Sequence, residues 1–350
     1  MYTTEASPHN TAFTLPRNCT FSESDWKILA PFWYPVAFSH EITDKPYAAR
    51  LLDERLVLFR VSDGTVVAAR DICLHRGVPL SLGWMENDEL VCAYHGVRYN
   101  QKGQCICIPA EPNAAIPSRL KLTTFAVMER YGLVWVRLVD NGDVHFPDLS
   151  EWDDPDYIQV LPNSVNIDAA AGRQMEGFLD VSHFAFVHKD SFGERDNPTV
   201  PDYPVERMPH GFRADYLSTV SNYPHGLKHL APEGFLWRRL FEVWLPFTAK
   251  LTVTFPNGLL HILNAASPVS ARKTRLFVPI CRNFDKDAPL QDTLDFNHQV
   301  FGEDQAMVEQ QYPEDLPLRM QDEVHIAGDK SSITYRKALA ALGLGLSFTA

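Results

Sequence analysis

Two short loops constrain this chain more than any other feature: Cys73-Leu74-His75-Arg76-Gly77 and Cys92-Ala93-Tyr94-His95-Gly96. The spacing is C-x-H, sixteen residues, then C-x2-H, so each loop offers one thiolate and one imidazole. A shared metal centre would pull the two loops together, and with them the strands on either side. Glycine follows each histidine or its neighbour, where it lets backbone N–H groups approach a bound group closely. Around the loops lie short β-prone runs, Trp33 to Val36, Ala48 to Leu52, Leu56 to Val61 and Thr65 to Ala69, broken by turns such as Ser62-Asp63-Gly64. That rhythm predicts an antiparallel β domain over about residues 27–145, closed by a strand through Tyr131 to Leu138.

Zinc accepts the same ligands, but zinc fingers commonly pair two cysteines in one loop and two histidines in the other. Two mixed loops suit a [2Fe–2S] centre whose irons differ in ligands, Cys73 and Cys92 on one and His75 and His95 on the other. A chance arrangement is the bland alternative. Cys105 and Cys107 alternate along a strand and read as buried thiols rather than further ligands.

A second constellation runs from Glu176 to His188, placing Asp180, His183 and His188 among Phe, Val and Ala. Asp180 and His183 are three apart, one turn on a helix face. His188 lies five further on, roughly 140° round a straight helix, so both imidazoles reach one metal only if the helix ends or widens near Phe186. The alternative is a core helix with two satisfied histidines. Downstream, Phe241 to Leu245, Leu251 to Phe255, Leu259 to Asn264 and Thr274 to Pro279 read as strands of one antiparallel sheet. From Leu290 to Gln311 the period turns helical until Pro313 stops it. Leu290, Leu294, Phe301 and Val308 form its apolar stripe, shared by Asn297 and Asp304. A buried carboxylate needs a partner or a metal, which makes Asp304 the candidate third ligand, with Glu303 and Glu309 as neighbouring alternatives. Two histidines and one carboxylate form the facial triad of non-haem Fe(II) oxygenases. Asn297, two turns before Asp304, is either a structural amide bonded to backbone or a group that orients a polar, planar substrate.

With C-x-H…C-x2-H followed by D-x2-H-x4-H, the chain from about Trp26 to Leu342 resembles the Rieske non-haem iron oxygenases, catalytic alpha subunits. Glu151 to Pro155, Asp180 to His188 and Asp329 to Lys337 are most similar to the alpha-only branch, which includes methylxanthine N-demethylases and saxitoxin-pathway hydroxylases. The resemblance implies an α+β fold: an antiparallel β Rieske domain, then a helix-grip catalytic domain with a curved antiparallel sheet. It implies residues 1–26 as a flexible tail, 27–145 as the Rieske domain and 150–350 as the mononuclear iron domain, with Asp140 to Asp156 as linker. Phe301 to Gln305 is similar to the segment carrying the third iron ligand. It further implies a head-to-tail homotrimer in which Asp180 bridges a cluster histidine, His75 or His95, to an iron-ligating histidine of the neighbour. Three departures stand out: Ala93 where Pro is usual, Val97 where Trp is usual, and Gly177 where Asn often precedes the bridging aspartate.

The expected activity is therefore hydroxylation or oxidative demethylation of a small, planar aromatic or N-heterocyclic substrate with O2, aromatic cis-dihydroxylation being the alternative. The chain carries no G-x-G-x-x-G after a strand and no plant-type C-x4-C-x2-C run, so its electrons must come from NAD(P)H through a separate flavin/iron–sulfur reductase or a ferredoxin. A net charge of −12 without a basic block argues against nucleic acid, and no apolar run approaches the roughly 18 residues of a membrane span. Six cysteines with no signal-like opening fit a reducing, cytoplasmic compartment. Two rival classes are a pure electron carrier, which needs no second constellation, and a zinc-stabilised binding protein, which would be colourless where a Rieske protein is red-brown. No Arg or Lys is assignable to a substrate carboxylate. Phe178, Phe184, Phe186, Trp237, Phe241, Trp244 and Phe247 either fill the core or line a pocket, and the remaining histidines, His261 among them, read as surface or structural.

Overall fold

The computed structural model describes residues 15–140 and 144–345, in two compact units that meet in sequence between Val144 and His145. All strand pairings are antiparallel, and five helices, α1 (Glu23–Leu29), α2 (Ala171–Leu179), α3 (Phe184–Val187), α4 (Leu290–Val308) and α5 (Lys330–Ala341), complete an α+β fold among the described residues.

In the first unit six strands lie in the spatial order Tyr34–Phe38, Leu133–Arg137, Thr124–Arg130, Val66–Arg70, Glu54–Arg60, Tyr47–Leu51. A smaller sheet joins Trp84–Glu86, Glu89–Val91, Arg98–Tyr99 and Cys105–Cys107. The run from Val66 to Arg70 leads into the first metal-type loop, and the second connects Glu89–Val91 to Arg98–Tyr99. Val57, Phe59, Leu90, Tyr99 and both loop cysteines share one core beneath them. Cys105 is buried there and Cys107 is half-buried.

The expected loose segment to residue 26 is too long. Residues 1–14, Pro8 among them, lie outside the described residues, but Ser22 caps α1 by accepting the Asp25 N–H, and buried Trp26 donates its indole N–H to Leu52 O at 2.8 Å. A short helix with an apolar anchor gains more from burial than from remaining a solvated tail. The expected linker to Asp156 is also too long. Residues 141–143 lie outside the described residues, whereas Leu149 is buried and a 3₁₀ turn spans Ser150–Asp153. The Lys250 ammonium lies 3.5 Å from Asp148 and 3.7 Å from Glu151, which explains the cluster of carboxylates there.

The second unit is built on a long sheet ordered Ile158–Val160, Ile280–Arg282, Gly258–Ser270, Thr248–Phe255, Trp237–Trp244, Gly211–Ser218, Val205–Met208. Val165–Ile167 and Lys273–Phe277 extend it beside the far half of Gly258–Ser270. Alternation sets Trp237, Arg239, Phe241 and Val243 on the buried face and Arg238 outward. α2 packs against Gly258–Ser270, α4 and α5. The expected helix through Gln311 ends at Val308, and its stripe is buried at Asn297, Phe301 and Val308 but not at Leu290, which is exposed at the helix start.

Candidate active site

α2 ends one residue before Asp180, whose backbone is extended and whose N–H still bonds Glu176 O. Asp180 Oδ1 accepts the Ser182 N–H at 2.7 Å, a local turn that redirects the chain. His183 and His188 then flank the four-residue α3. The difficulty of spacing five is thus resolved by a break between two helices: Asp180 and His183 lie on no common helix, yet His183 Nδ1 stands 3.5 Å from Asp180 Oδ2. After α3, His188 O accepts the N–H groups of Ser191, Phe192 and Gly193. A Cβ at Gly193 would stand 2.1 Å from Phe184 O, so only glycine closes this turn.

α4 brings Asp304 to the two histidines. His183 Nε2 and His188 Nε2 are 3.0 Å apart, and Asp304 Oδ1 lies 3.4 Å and 3.2 Å from them. These three form the one set of three or more metal-ligating side chains that closes within 4.8 Å among the described residues. Donors about 2.1 Å from an ion and at right angles stand about 3.0 Å apart, so the set fits a first-row metal with its remaining positions open. Both outer nitrogens face carboxylates: His188 Nδ1 meets Glu303 Oε2 at 2.9 Å, and Ser191 Oγ donates to the same oxygen at 2.7 Å. Such partners hold the imidazole with its lone pair inward. Glu303, an alternative ligand by sequence, thus supports His188 instead, and Glu309 accepts the Asp168 N–H and stands away from the histidines.

Burial alone would discharge these groups, but their mutual arrangement overrides it. Burial disfavours a charged His183, yet Asp180 and Asp304 outweigh it and lift the imidazole to about 9. Against its own burial, Asp304 is held down at about 2 by the two histidines. Asp180 is also below the usual carboxylate range, its burial outweighed by His183 and the Ser182 N–H.

The triad opens into a cavity of about 200 Å³ walled by Phe178, Phe184, Phe192, Phe241, Phe255 and the α4 residues Phe296 and Asn297. Of the aromatics singled out in sequence, Phe178, Phe184 and Phe241 face it; Trp237, Trp244 and Phe247 are buried elsewhere and Phe186 is exposed. Asn297 makes the structural backbone bond and also lies at the cavity wall. Its Nδ2 donates to Thr293 O at 2.7 Å, the structural bond, while the buried residue lines the cavity with no partner on Oδ1 among the described residues. The sequence reading missed Arg239 and Arg282, which also line the cavity; inward alternation in Trp237–Trp244 was an available signal for Arg239, whereas Ile280–Arg282 is buried throughout and offers none. Buried His261 is structural, bonded to Thr252 Oγ1. Gly177 faces α4: an added Cβ would stand 3.2 Å from Val308 Cγ2, so close helix packing accounts for the missing asparagine.

The two loops of the first unit repeat one backbone pattern. Cys73 N–H bonds Val78 O and Gly77 N–H bonds Cys73 O; Cys92 N–H bonds Val97 O and Gly96 N–H bonds Cys92 O. Both glycines have positive φ, +75° and +68°, which the turn demands. The cysteines are buried and His75 and His95 are exposed, their rings 4.6 Å apart. Tyr99 Oη lies 3.5 Å from Cys73 Sγ. Buried sulfur and surface imidazole suit a two-iron cluster with unlike ends. Val97, where tryptophan is usual, is buried in this core.

The Rieske [2Fe-2S] domain model matches residues 32–126, and the vanillate O-demethylase oxygenase C-terminal domain model matches residues 167–344. A Rieske domain followed by this oxygenase domain defines the class: an oxygenase component, an oxidoreductase using O2, a [2Fe–2S] cluster and mononuclear iron, with electrons supplied by a reductase or ferredoxin. The chain belongs to the Rieske non-haem iron oxygenases, as a catalytic alpha subunit. It is 36% identical over 323 residues to methylxanthine N1-demethylase of Pseudomonas putida, covering 90% of this chain and 89% of that relative. Methylxanthine N3-demethylase of the same organism is 32% identical, over 89% of each. The caffeine-bound structure of the Pseudomonas putida enzyme NdmA superposes with a TM-score of 0.82 at 34% identity, over 91% of this chain and 92% of that one. No helix among the described residues is long and apolar enough to cross a membrane.

Proposed function

We propose that the chain oxidatively demethylates a small, planar aromatic or N-heterocyclic substrate as a monooxygenase, in a reducing, cytoplasmic setting. The observation that carries this is the convergence of His183, His188 and Asp304 at the wall of an aromatic cavity. In this reading the triad holds Fe(II), and Cys73, His75, Cys92 and His95 hold the cluster. When bound, the iron supplies O2 activation. The chain's own part is to keep both Nε2 atoms inward through Asp180 and Glu303, to hold the ring plane between phenylalanines, and to keep bulk water from the reacting methyl group. A methyl carbon hydroxylated on nitrogen or oxygen then leaves as formaldehyde.

The working form is a head-to-tail homotrimer in which Asp180 meets His75 or His95 of a neighbour. Support comes from a second surface depression that contains Asp180, Tyr312 and Val324, where Tyr312 is 87% and Val324 94% exposed. Large apolar side chains so exposed suit a covered face. The test supplies purified, iron-loaded protein with a surrogate reductase, NADH and a panel of N-methyl heterocycles and aryl methyl ethers. Formaldehyde in step with O2 use is expected, and Asp304→Ala should lose mononuclear iron and product while the cluster spectrum survives. A cis-diol product without formaldehyde would replace demethylation by ring dihydroxylation.

A further inference from the structure

Two arginines in the cavity wall have no carboxylate partner among the described residues. Arg239 and Arg282 occupy one row across four strands, because Arg239 pairs with Val253, Val253 with Leu260, and Leu260 with Arg282. Residues directly opposite share a face, so both side chains enter the same concavity, and both line the cavity. They are buried, at 1% and 7% exposure. Neither has a carboxylate within 4.0 Å among the described residues, whereas buried Arg173 and Arg336 in the same unit pair with Glu323 and Glu176.

The two differ in what they leave free. Arg239 spends its donors on neutral acceptors: Asn222 Oδ1 at 3.3 Å, Ser218 Oγ at 3.2 Å, and Val220 O and Ser221 O at 3.0 Å and 3.2 Å. Burial pulls it down to about 10, which leaves it charged at neutral pH. Arg282 donates through Nη2 to Asp285 O at 3.1 Å, and its Nε–H is buried without any partner. Rings compensate in part, Phe184 lying 5.2 Å from the Arg239 guanidinium and Phe284 5.9 Å from that of Arg282. The cavity's carboxylates do not neutralise them. Asp304 belongs to the triad, and Asp285 and Asp292 are exposed, Asp285 accepting from Asn257 Nδ2. A buried charge and an orphaned N–H both cost stability unless something bound relieves them.

Taking the demethylase reading above as its basis, we infer that the substrate carries a carboxylate, received by the cavity-lining guanidinium of Arg282 in the field of Arg239. Direction follows from the row. Arg239 stands over Phe184, whose ring is 5.0 Å from that of His183, so the metal end of the cavity is the Arg239 end. Arg282 is three strand spacings away, roughly 14 Å between backbones. A planar acid gripped at Arg282 therefore presents its opposite edge, with the methyl-bearing atom, to the triad.

The test is anaerobic calorimetric titration of the iron- and cluster-loaded protein with para-methoxybenzoate and with para-methoxybenzamide. The acid is expected to bind about ten-fold or more tightly than the amide, as a charged hydrogen bond warrants. Arg282→Gln should collapse that ratio to within about two-fold while retaining amide affinity, and Arg282→Lys should restore part of it. Equal binding of acid and amide by the wild type overturns the proposal, and so does an acid preference that survives Arg282→Gln, since the metal would then hold the anion. If Arg282→Gln does not fold, the wild-type ratio and its loss at high salt decide. Failure here with neutral N-methyl substrates still demethylated removes the carboxylate and leaves the demethylase. Tight acid binding with neither formaldehyde nor substrate-dependent O2 use removes the demethylase and leaves the anion site.

Discussion

Glu303→Gln should weaken the mononuclear metal site without touching its ligands. Glu303 Oε2 receives His188 Nδ1 at 2.9 Å and Ser191 Oγ at 2.7 Å, and His188 is 2% exposed, so bulk water cannot take the carboxylate's place. The substitution is nearly isosteric; it removes the negative charge and offers a neutral amide oxygen. A hydrogen bond to a charged group contributes about 1.5–3 kcal/mol, against about 0.5–1.5 for a neutral pair. The difference is about 1–2 kcal/mol, and 1.4 kcal/mol is a factor of ten, so metal affinity should fall about 5–30-fold. That is within the range for partners that orient a ligating histidine. The assay is a chelator competition against Fe(II)-loaded protein under argon, with the Rieske absorption as internal control for the first unit. Unchanged affinity would refute the idea that Glu303 sets the His188 tautomer. A loss as complete as that of Asp304→Ala would instead make Glu303 a ligand, contrary to the geometry.

Three further outcomes are expected. Asp180→Asn should keep both metal contents yet lower turnover about 10–100-fold, because the carboxylate beside His183 Nδ1 is replaced, with slowed cluster reoxidation in stopped flow; unchanged reoxidation would make Asp180 merely the residue that ends α2. Asn297→Leu should raise KM and uncouple O2 use, costing about 1–3 kcal/mol in transition-state stabilisation. Because Nδ2 is committed to Thr293 O, only Oδ1 is free, so substrates with an N–H or O–H donor should suffer most in a steady-state comparison. Glu323 is held below the usual glutamate range, its partial burial outweighed by Arg173 and Arg336. Its folded pKa being the lower, its contribution is complete above the unfolded value of about 4.3 and is lost as pH falls through the folded one. Glu323→Gln should therefore lower Tm at neutral pH and flatten the acid limb of Tm against pH below about 4.3; an unaltered limb would place acid unfolding elsewhere.

Ligand chemistry was legible because it depends on residue type and short spacing. Cys73, His75, Cys92 and His95 announce a mixed-ligand centre in any fold that closes their loops, and the strands around them follow from period-two alternation. His183 and His188 were legible as a pair but their geometry was not. Whether a spacing of five converges depends on a helix break, and that break is made by the Asp180–Ser182 turn and by a crowding at Gly193 that no local pattern reports. Asp304 was legible as a carboxylate on a buried stripe and through the resemblance of Phe301 to Gln305 to a ligand-bearing segment, and the geometry that sets it rather than Glu303 beside both histidines came from where α4 faces α3. That the two arginines share one site lay beyond the sequence. Arg239 and Arg282 are 43 residues apart, and each alone is an arginine on a strand; register across four strands sets them on one row facing the metal cavity. Spacing along the chain determines which donors exist, but sheet pairing and helix packing decide which side of a strand or helix meets which cavity, and those are long-range contacts.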